Sequence, residues 1–224
     1  INTATNLVTA TIPFGTQPGG IFITSDSKYA YVGYHTGSNM KKIDLNTNTI
    51  VNTISNVLLT DVKDLAITPD GTKLFAATEC NGITIINTAT DAIIGNIPGC
   101  NGYQDIIITN DGTKAYASQG WNDRIDVINT STFSVIKQIT GFVQPQGLDI
   151  TPDGNYLYAV DRNADQIAVI DISLDSIINT VYDARLDGWG IAISADGKFA
   201  YITNSFPSNT NDDILVLDIQ TSSF

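Results

Sequence analysis

A turn aspartate recurs five times along this chain of 224 residues, at intervals of 41 to 44 residues. Four of the five turns continue with glycine, and the recurring residues are Asp26, Asp70, Asp111, Asp153 and Asp196. A fixed period of this length indicates a repeat architecture, in which one unit buries its apolar face only against its neighbours. The repeat therefore constrains the fold more than any other feature of the sequence.

Short apolar runs surround each turn. The residue three positions before the aspartate is always Ile, and the residue five positions after it is always aromatic: Tyr31, Phe75, Tyr116, Tyr158 and Tyr201. Such runs on both sides of a turn predict a hairpin, and no stretch has a sustained helical period. Two more strands follow in each unit, for example Ile83–Asn87 and Ala92–Ile97. Four strands per repeat predict an all-β protein, a β-propeller built of four-stranded blades.

Several segments carry a known repeat motif. Residues 201–204 read Tyr-Ile-Thr-Asn after Ser-Ala-Asp-Gly-Lys-Phe-Ala, residues 169–171 read Val-Ile-Asp, and residues 12–15 read Ile-Pro-Phe-Gly. With these motifs the chain resembles the YVTN family of β-propeller repeats over essentially its whole length. The resemblance implies a surface-layer, adhesive or other extracytoplasmic protein, although related propellers include lactonases, lyases and redox enzymes. Because the motifs are structural, the resemblance implies no catalytic residues.

The two ends of the chain match parts of one repeat. Residues Ile1–Ile12 align with Ile86–Ile97, which contain an outer strand, and the last repeat stops after its third strand. We therefore expect a single domain over residues 1–224, with five blades. Ile1–Ile12 would be the outer strand of the last blade and would close the ring beside residues 216–219, which removes exposed sheet edges. The alternative is a piece of a larger, for example seven-bladed, propeller.

The charge of the chain restricts its partners. It has 11 basic and 23 acidic residues, a net charge of −12, which opposes binding to nucleic acid and to anionic membranes. No apolar run approaches the roughly 20 residues that span a bilayer, so we expect no membrane insertion. Only 15% of the residues are charged, while Asn and Thr are abundant, which favours an extracellular or cell-surface protein.

The sequence offers little catalytic chemistry. His35 is the only histidine, which excludes multi-histidine metal sites. No phosphate-binding glycine loop and no nucleophile-elbow motif is present, and we predict no cofactor. A surface-loop role for His35 is favoured over a role as catalytic base.

The two ends of the blades differ in sequence. One end holds the repeated turns, and the other holds loops that vary in length and content, which we call the irregular-loop face. Loops on a rigid scaffold commonly carry binding sites, and Tyr, Trp and Arg are common interface anchors. We predict that a protein or glycan partner contacts residues at the channel mouth on this face, namely Lys63, Gln104, Gln146, Trp189, Tyr103 and Trp121.

Three acidic residues fall on or beside the predicted inner strands. Asp64 and Asp105 are weak candidates for a cation site, because Ca²⁺ needs six or more oxygen ligands and only these two acids are in register. Solvated carboxylates are the favoured alternative. Asp149 replaces an apolar residue and becomes a site candidate only if it is buried.

Cys80 and Cys100 are the only cysteines. Both fall on the irregular-loop face of the second repeat, and an even count in an extracellular protein favours a disulfide. Two free thiols are the alternative, because sequence alone does not fix the direction of either side chain.

Two functional classes remain open. The favoured class is a non-enzymatic extracellular or cell-surface scaffold that binds its partner on the irregular-loop face. The alternative is a small-molecule enzyme of the lactonase or lyase type that uses His35 or channel carboxylates. The second class requires His35 or Asp149 to meet other polar groups in one site.

Overall fold

The chain folds as five antiparallel sheets that follow one another in sequence. The computed structural model describes residues 2, 4–15, 17–100, 102–183, 186–205 and 213–221, with the backbone only at residue 57. Within these ranges the only helical element is a short 3₁₀ turn, Arg162–Ala164. No helix in the described ranges is long and apolar enough to cross a membrane.

Nineteen strands form the sheets in the described part of the chain. The first sheet contains β1 (Pro18–Ile23), β2 (Tyr29–Tyr34), β3 (Ser38–Asp44) and β4 (Thr49–Thr60). The second contains β5 (Val62–Ile67), β6 (Lys73–Thr78), β7 (Ile83–Asn87) and β8 (Ile93–Ile97). The third contains β9 (Tyr103–Ile108), β10 (Lys114–Gln119), β11 (Arg124–Asn129) and β12 (Ser134–Thr140). The fourth contains β13 (Pro145–Ile150), β14 (Tyr156–Asp161), β15 (Gln166–Asp171) and β16 (Ser176–Tyr182), and the fifth contains β17 (Gly188–Ile193), β18 (Phe199–Asn204) and β19 (Asp213–Asp218).

Each hairpin between the first two strands of a sheet is held by its turn aspartate. In the second sheet, Asp70 accepts hydrogen bonds from the Thr68 hydroxyl and from the Thr72 backbone N–H, and Gly71 takes a left-handed φ of 72°. The same three-residue arrangement recurs at Asp111, Asp153 and Asp196. Because a glycine pays no steric penalty at positive φ, the Asp-Gly sequence suits the turn. The repeat in the sequence is therefore a repeat of turn geometry.

Neighbouring sheets stack face to face. The inner strands β1, β5, β9, β13 and β17 lie side by side in that order. Apolar side chains from adjacent sheets fill each of the four interfaces between them. This arrangement confirms an all-β, propeller-like fold with five sheets.

The fourth strand of the first sheet is longer than the sequence suggests. β4 runs to Thr60, and its last residue pairs with Ser38 after an irregularity in register. Residues 56–64 are therefore mainly strand rather than loop. The alternation of apolar and polar residues there was too weak to reveal the extension.

The structure does not confirm the predicted ring closure. Within residues 186–205 and 213–221 the fifth sheet has three strands, and β19 pairs with β18. In the described N-terminal residues, Asn2 and Leu7 form an isolated bridge, while Ile12 and Phe14 pack on the first sheet. The Ile1–Ile12 segment is thus not seen as the fourth strand of the last sheet.

Candidate functional site

Two tryptophans are half exposed on the irregular-loop face. Trp121 follows β10 and is 53% exposed, and Trp189 lies in β17 and is 48% exposed. The Trp121 ring lies directly on the backbone of Gly102, where a Cβ atom would come within 2.6 Å of the indole. Glycine at 102 therefore allows the ring to lie flat against the chain.

Two amide side chains lie close to Trp121. Gln146 is 4% exposed, and Gln104 is partly buried and donates from Nε2 to the Gly102 carbonyl at 3.1 Å. A Cβ atom on Gly120 would lie 3.1 Å from the Gln146 amide nitrogen and 3.2 Å from Gln104 Cγ. The two glutamines therefore meet above Gly120, next to Trp121.

The backbone connects this group to Trp189. A Cβ atom on Gly147 would lie 2.7 Å from the Trp189 carbonyl oxygen, so the β13 and β17 backbones approach closely there. Trp121, Gln104 and Gln146 therefore lie together, and Trp189 lies on the adjacent inner strand; we call these four residues the tryptophan strip.

Arg162 contacts the strip but does not bring a free charge to it. Its guanidinium lies 4.1 Å from the Trp189 ring centroid and forms a two-point ion pair with Asp187. Asp187 is itself held by a 2.6 Å hydrogen bond from its N–H to the Asn204 side chain. The arginine therefore holds the Trp189 ring in place while its charge is neutralised.

Tyr103 is buried, unlike the other aromatic residues predicted to contact a partner on the irregular-loop face. It is 1% exposed, its ring packs in the core between the second and third sheets, and its hydroxyl donates to Asp126 Oδ2 at 2.7 Å. Gln119 donates to the same carboxylate oxygen. The sequence could not show this, because the aromatic residue at the loop end turns inward to meet a carboxylate on β11.

Lys63 belongs to an ion cluster between the first two sheets. Its ammonium lies 3.2 Å from Asp61 Oδ1 and 2.9 Å from Glu79 Oε2, and Asp61 Oδ1 lies 2.6 Å from His35 Nδ1. Burial acts to raise the pKa of Asp61, but its hydrogen bonds to Glu79 and Lys63 and the nearby positive charges outweigh burial and lower that pKa. Asp61 and Glu79 were missed by sequence reasoning, since nothing in their local pattern marks them.

Asp64 and Asp105 face each other at the central channel. They line a cavity of about 300 Å³ whose other walls are apolar, including Leu65, Ile106 and Leu148. Burial and the charge of Asp105 raise the pKa of Asp64 well above its usual range, and burial raises the pKa of Asp105. The two carboxyls are hydrogen-bonded to each other, so they share a proton rather than present two charges to a cation.

These carboxyls have structural partners. Asp64 accepts the Ile106 N–H at 3.3 Å, and Asp105 accepts the Leu148 N–H at 2.7 Å. Asp149 does the same with the Ile193 N–H at 2.6 Å, and burial raises its pKa. Each acid thus satisfies a backbone donor on the inner strand of the next sheet.

Metal-binding groups do not converge in the described residues. No cluster of three or more His, Cys, Asp or Glu side chains there has a geometry that could hold a metal ion.

The two cysteines are neighbours on the irregular-loop face. Both are free and exposed, so the predicted disulfide is not present in the structure. The thiols hydrogen-bond to each other, and this contact together with burial raises the pKa of Cys80 to about 11. The prediction that the two residues come together is thus supported, and the bond itself is not.

The opposite face holds the two largest grooves described. Each has a volume of about 390 Å³ and lies between two sheets beside the repeated turns. Their walls include Lys42 in one and Lys114 in the other, which pair with Asp91 at 3.0 Å and with Asp175 at 2.8 Å. Both lysines are therefore already neutralised.

Comparison with protein families gives one match. The model of the family described as "Lactonase, 7-bladed beta-propeller" matches residues 81–177, less than half of the chain. No curated protein sequence is similar enough to count as a relative.

Solved structures match the fold over nearly the whole chain. A chain of Kuenenia stuttgartiensis hydrazine synthase is 18% identical with a TM-score of 0.83, and the alignment covers 96% of this chain and 67% of that one. A functionally unknown protein of Desulfotomaculum acetoxidans DSM 771 is 16% identical with a TM-score of 0.75, with coverages of 92% and 71%. The β-propeller domain of Myceliophteria thermophila Cps50 (Swd1) is 11% identical with a TM-score of 0.75, with coverages of 94% and 73%. These likenesses, with the family match, support the conclusion that the chain is a β-propeller protein.

Proposed function

We propose that this protein is a binding scaffold that recognises a neutral glycan on the tryptophan strip. One observation carries the proposal: the half-exposed indole of Trp121 lies beside the amides of Gln104 and Gln146, and the half-exposed Trp189 lies on the inner strand next to that of Gln146. An aromatic ring offers an apolar face, and an amide offers both donors and an acceptor. A sugar ring needs both, because its faces carry C–H groups and its edge carries hydroxyls.

Charge favours a neutral ligand over an anionic one. The net charge is −12, and the cations nearest the strip are already paired: Arg162 with Asp187, and Lys63 with Asp61 and Glu79. An anionic ligand would have to displace one of these carboxylates. A protein partner is the other occupant we considered, and the experiment below separates the two.

Tryptophan fluorescence and calorimetry with a panel of neutral oligosaccharides test the proposal. Trp121→Ala and Trp189→Ala should each weaken the binding oligosaccharide by about 30-fold, since a central aromatic anchor contributes about 2 kcal/mol. Tyr182→Ala is the matched control, because Tyr182 is 66% exposed on the same face but outside the strip. Failure of every oligosaccharide to bind, or equal losses in the control, would contradict the proposal.

A second candidate function is hydrolysis of a lactone or ester by His35. Asp61 Oδ1 lies 2.6 Å from His35 Nδ1, and Lys63 Nζ lies 3.4 Å from the same nitrogen. In the proposed reaction Nδ1 carries the proton and donates a hydrogen bond to Asp61, which leaves Nε2 as the base. The match to the lactonase family supports this candidate, although its range, residues 81–177, includes neither residue. The pair meets the requirement that His35 have polar neighbours.

Hydrolysis of a γ-lactone and of p-nitrophenyl acetate tests the second candidate. His35→Gln and Asp61→Asn should each lower the rate at least about 100-fold, because general-base catalysis contributes on that order. Asp196→Asn is the control, since Asp196 lies in a repeated turn of the fifth sheet on the opposite face, away from His35 and Asp61. Unchanged rates in both variants would exclude this role.

We further propose that the protein works outside the cell or at its surface, as YVTN-type propellers do, with Cys80 and Cys100 oxidised there to a disulfide. The acidic, weakly charged composition and the contact between the two thiols support this. Incubation with glutathione disulfide should remove both thiols from labelling in the denatured protein. Two thiols that still label would contradict it.

A further inference from the structure

The fifth sheet has one free apolar face. Along β18 the residues alternate between buried and exposed, whereas β6, β10 and β14 are buried along almost their whole length. Tyr201 on β18 is 45% exposed, while the residue at the same repeat position in the fourth sheet, Tyr158, is 5% exposed. On the same face Ile214 and Val216 of β19 are 62% and 43% exposed. The face is thus built like an interior one, but no sheet in the described part of the chain packs against it.

The first sheet also has a free apolar face, on the side that an earlier sheet would cover. Ile21 and Ile23 of β1 are 60% and 50% exposed, while Leu65 and Ile67, at the same positions in β5, are 1% and 7% exposed. Ile21 and Ile23 pair with Val32 and Ala30 of β2, so they share the face that looks away from the second sheet.

The four interior interfaces show which side chains would cover each free face. In each of them an aromatic residue of the earlier sheet packs on two branched aliphatic residues of the later sheet's inner strand, as Tyr158 does on Ile191 and Ile193. Tyr201 lies beside a cavity of about 260 Å³ lined by Gly190, Ala192, Thr203 and Ile214 among others, which such a pair would fill. Ile21 and Ile23 correspond to the aliphatic pair of an interior interface, so an aromatic residue of a preceding sheet would cover them.

The described N-terminal residues resemble the end of a blade and pack on the first sheet. Asn2, Asn6 and Leu7 repeat the contacts of Asn87, Asp91 and Ala92. The Asn2 N–H donates to the Leu7 carbonyl at 2.9 Å, as the Asn87 N–H does to the Ala92 carbonyl, and Asn6 and Asp91 have φ of 54° and 56°. Ile12 then packs on the first sheet, as Ile97 packs against the third sheet at the end of β8.

We propose that the two free faces are docking surfaces for two further repeats of the same propeller, one after the fifth sheet and one before the first, and that five sheets do not close the ring. Inner strand β17 does not pack on β1 as the other inner strands pack on their neighbours. The aligned solved chains are longer, with 67% to 73% covered, and five of seven blades is about seven tenths. Seven is also the blade number of the matching family.

Thermal unfolding of charged variants distinguishes an open ring from a closed one. Ile21→Asp and Tyr201→Asp should each change the melting temperature by less than about 2 °C, because both side chains are exposed. The matched variants Leu65→Asp and Tyr158→Asp should lower it by about 10 °C or more, since both residues are buried in interior interfaces. Equal losses in both sets would mean that the free faces bury each other, which overturns the proposal.

An extended chain tests the occupant directly. In this variant a copy of residues 91–171 is added directly after Thr221. The joint is suitable because Asp218 accepts hydrogen bonds from the turn that follows it in the same way as Asn87 does. The addition supplies the missing fourth strand of the fifth sheet, one complete blade, and three strands that residues 7–12 complete as the fourth. The melting temperature should rise, and Ile21→Asp should now lower it by about as much as Leu65→Asp.

Two results would overturn the proposed occupant. One is that Ile21→Asp remains without effect in the extended chain. The other is that the original chain sediments as a dimer that Tyr201→Asp dissociates, because a second copy would then be the natural cover.

Discussion

Tyr158 and Tyr201 occupy the same position of the same repeat and have opposite environments. Tyr158 is 5% exposed between the fourth and fifth sheets, and Tyr201 is 45% exposed on the outer face of the fifth. Both belong to strands with nearly the same pattern of apolar residues, Tyr156–Asp161 and Phe199–Asn204. The sequence of a blade therefore specifies an apolar face, and the neighbouring blade determines whether that face is buried.

Three interior interfaces also have a specific contact between the aromatic residue and a turn of the next sheet, and in two of them this contact is a hydrogen bond. The Tyr31 hydroxyl donates to Asp91 at 2.8 Å, and the Tyr116 hydroxyl donates to Asp175. Both aspartates lie in the turn after the third strand of the next sheet, with left-handed φ of 56° and 50°. Where the aromatic residue is Phe75, the turn residue is Phe133, and the two rings meet edge to face at 6.1 Å. The residue pairs therefore match in polarity across each of these interfaces.

Removing the aromatic ring should give the largest difference between the two regions. Tyr116→Ala should cost about 3–5 kcal/mol of unfolding free energy, because it leaves a cavity and unpaired polar partners. Tyr201→Ala should cost less than about 1 kcal/mol. Urea unfolding followed by circular dichroism measures both, and similar costs would show that Tyr201 is buried in solution.

Removing the charge that holds the aromatic residue should have an intermediate effect. Asp175→Asn weakens the ion pair with Lys114 and the contact to Tyr116, and should cost about 1–3 kcal/mol. The reciprocal change, Asn48→Asp, is the control, because Asn48 holds the same turn position in the first sheet but is exposed there. If Asn48→Asp shifts stability as strongly as Asp175→Asn, the first sheet has a partner in solution.

The sequence predicted more of the fold than of the candidate site. Turn, strand order and stacking follow from local patterns such as Thr68-Pro69-Asp70-Gly71, whose hydrogen bonds stay within five residues. The contacts that build the candidate sites join distant residues: His35 meets Asp61, and Tyr103 meets Asp126. No local pattern encodes these pairs, so they required the structure.

The smallest predicted effect concerns Asp64 and Asp105, the two acidic residues on the inner strands of the second and third sheets. Burial and Asp105 raise the pKa of Asp64, so its stabilising contribution is fully present below the unfolded pKa of about 3.9 and is lost as pH rises through the folded pKa. Asp64→Asn should therefore raise the melting temperature more at pH 8 than at pH 4.

The turn acid Asp70 gives the opposite sign. The hydrogen bonds from Thr68 and Thr72 lower the pKa of Asp70 to about 2. Its contribution is therefore present above the unfolded pKa and is lost as pH falls towards 2. Asp70→Asn should lower the melting temperature at pH 7 and have little effect near pH 2. If Asp64→Asn and Asp70→Asn showed the same pH dependence, the assignment of the channel acids would be wrong.

Hydroxyl-radical footprinting of the native chain, read by mass spectrometry, tests the difference between interior and end faces most directly. The account predicts that Tyr201, Ile21 and Ile214 are oxidised at rates near that of Tyr182, which is 66% exposed at a strand end, once each rate is divided by the intrinsic reactivity of its residue type. It predicts protection of Tyr116 and Tyr158, which are 0% and 5% exposed. Protection of Tyr201 and Ile21 to the level of Tyr158 would contradict it, because five sheets would then already form a closed ring.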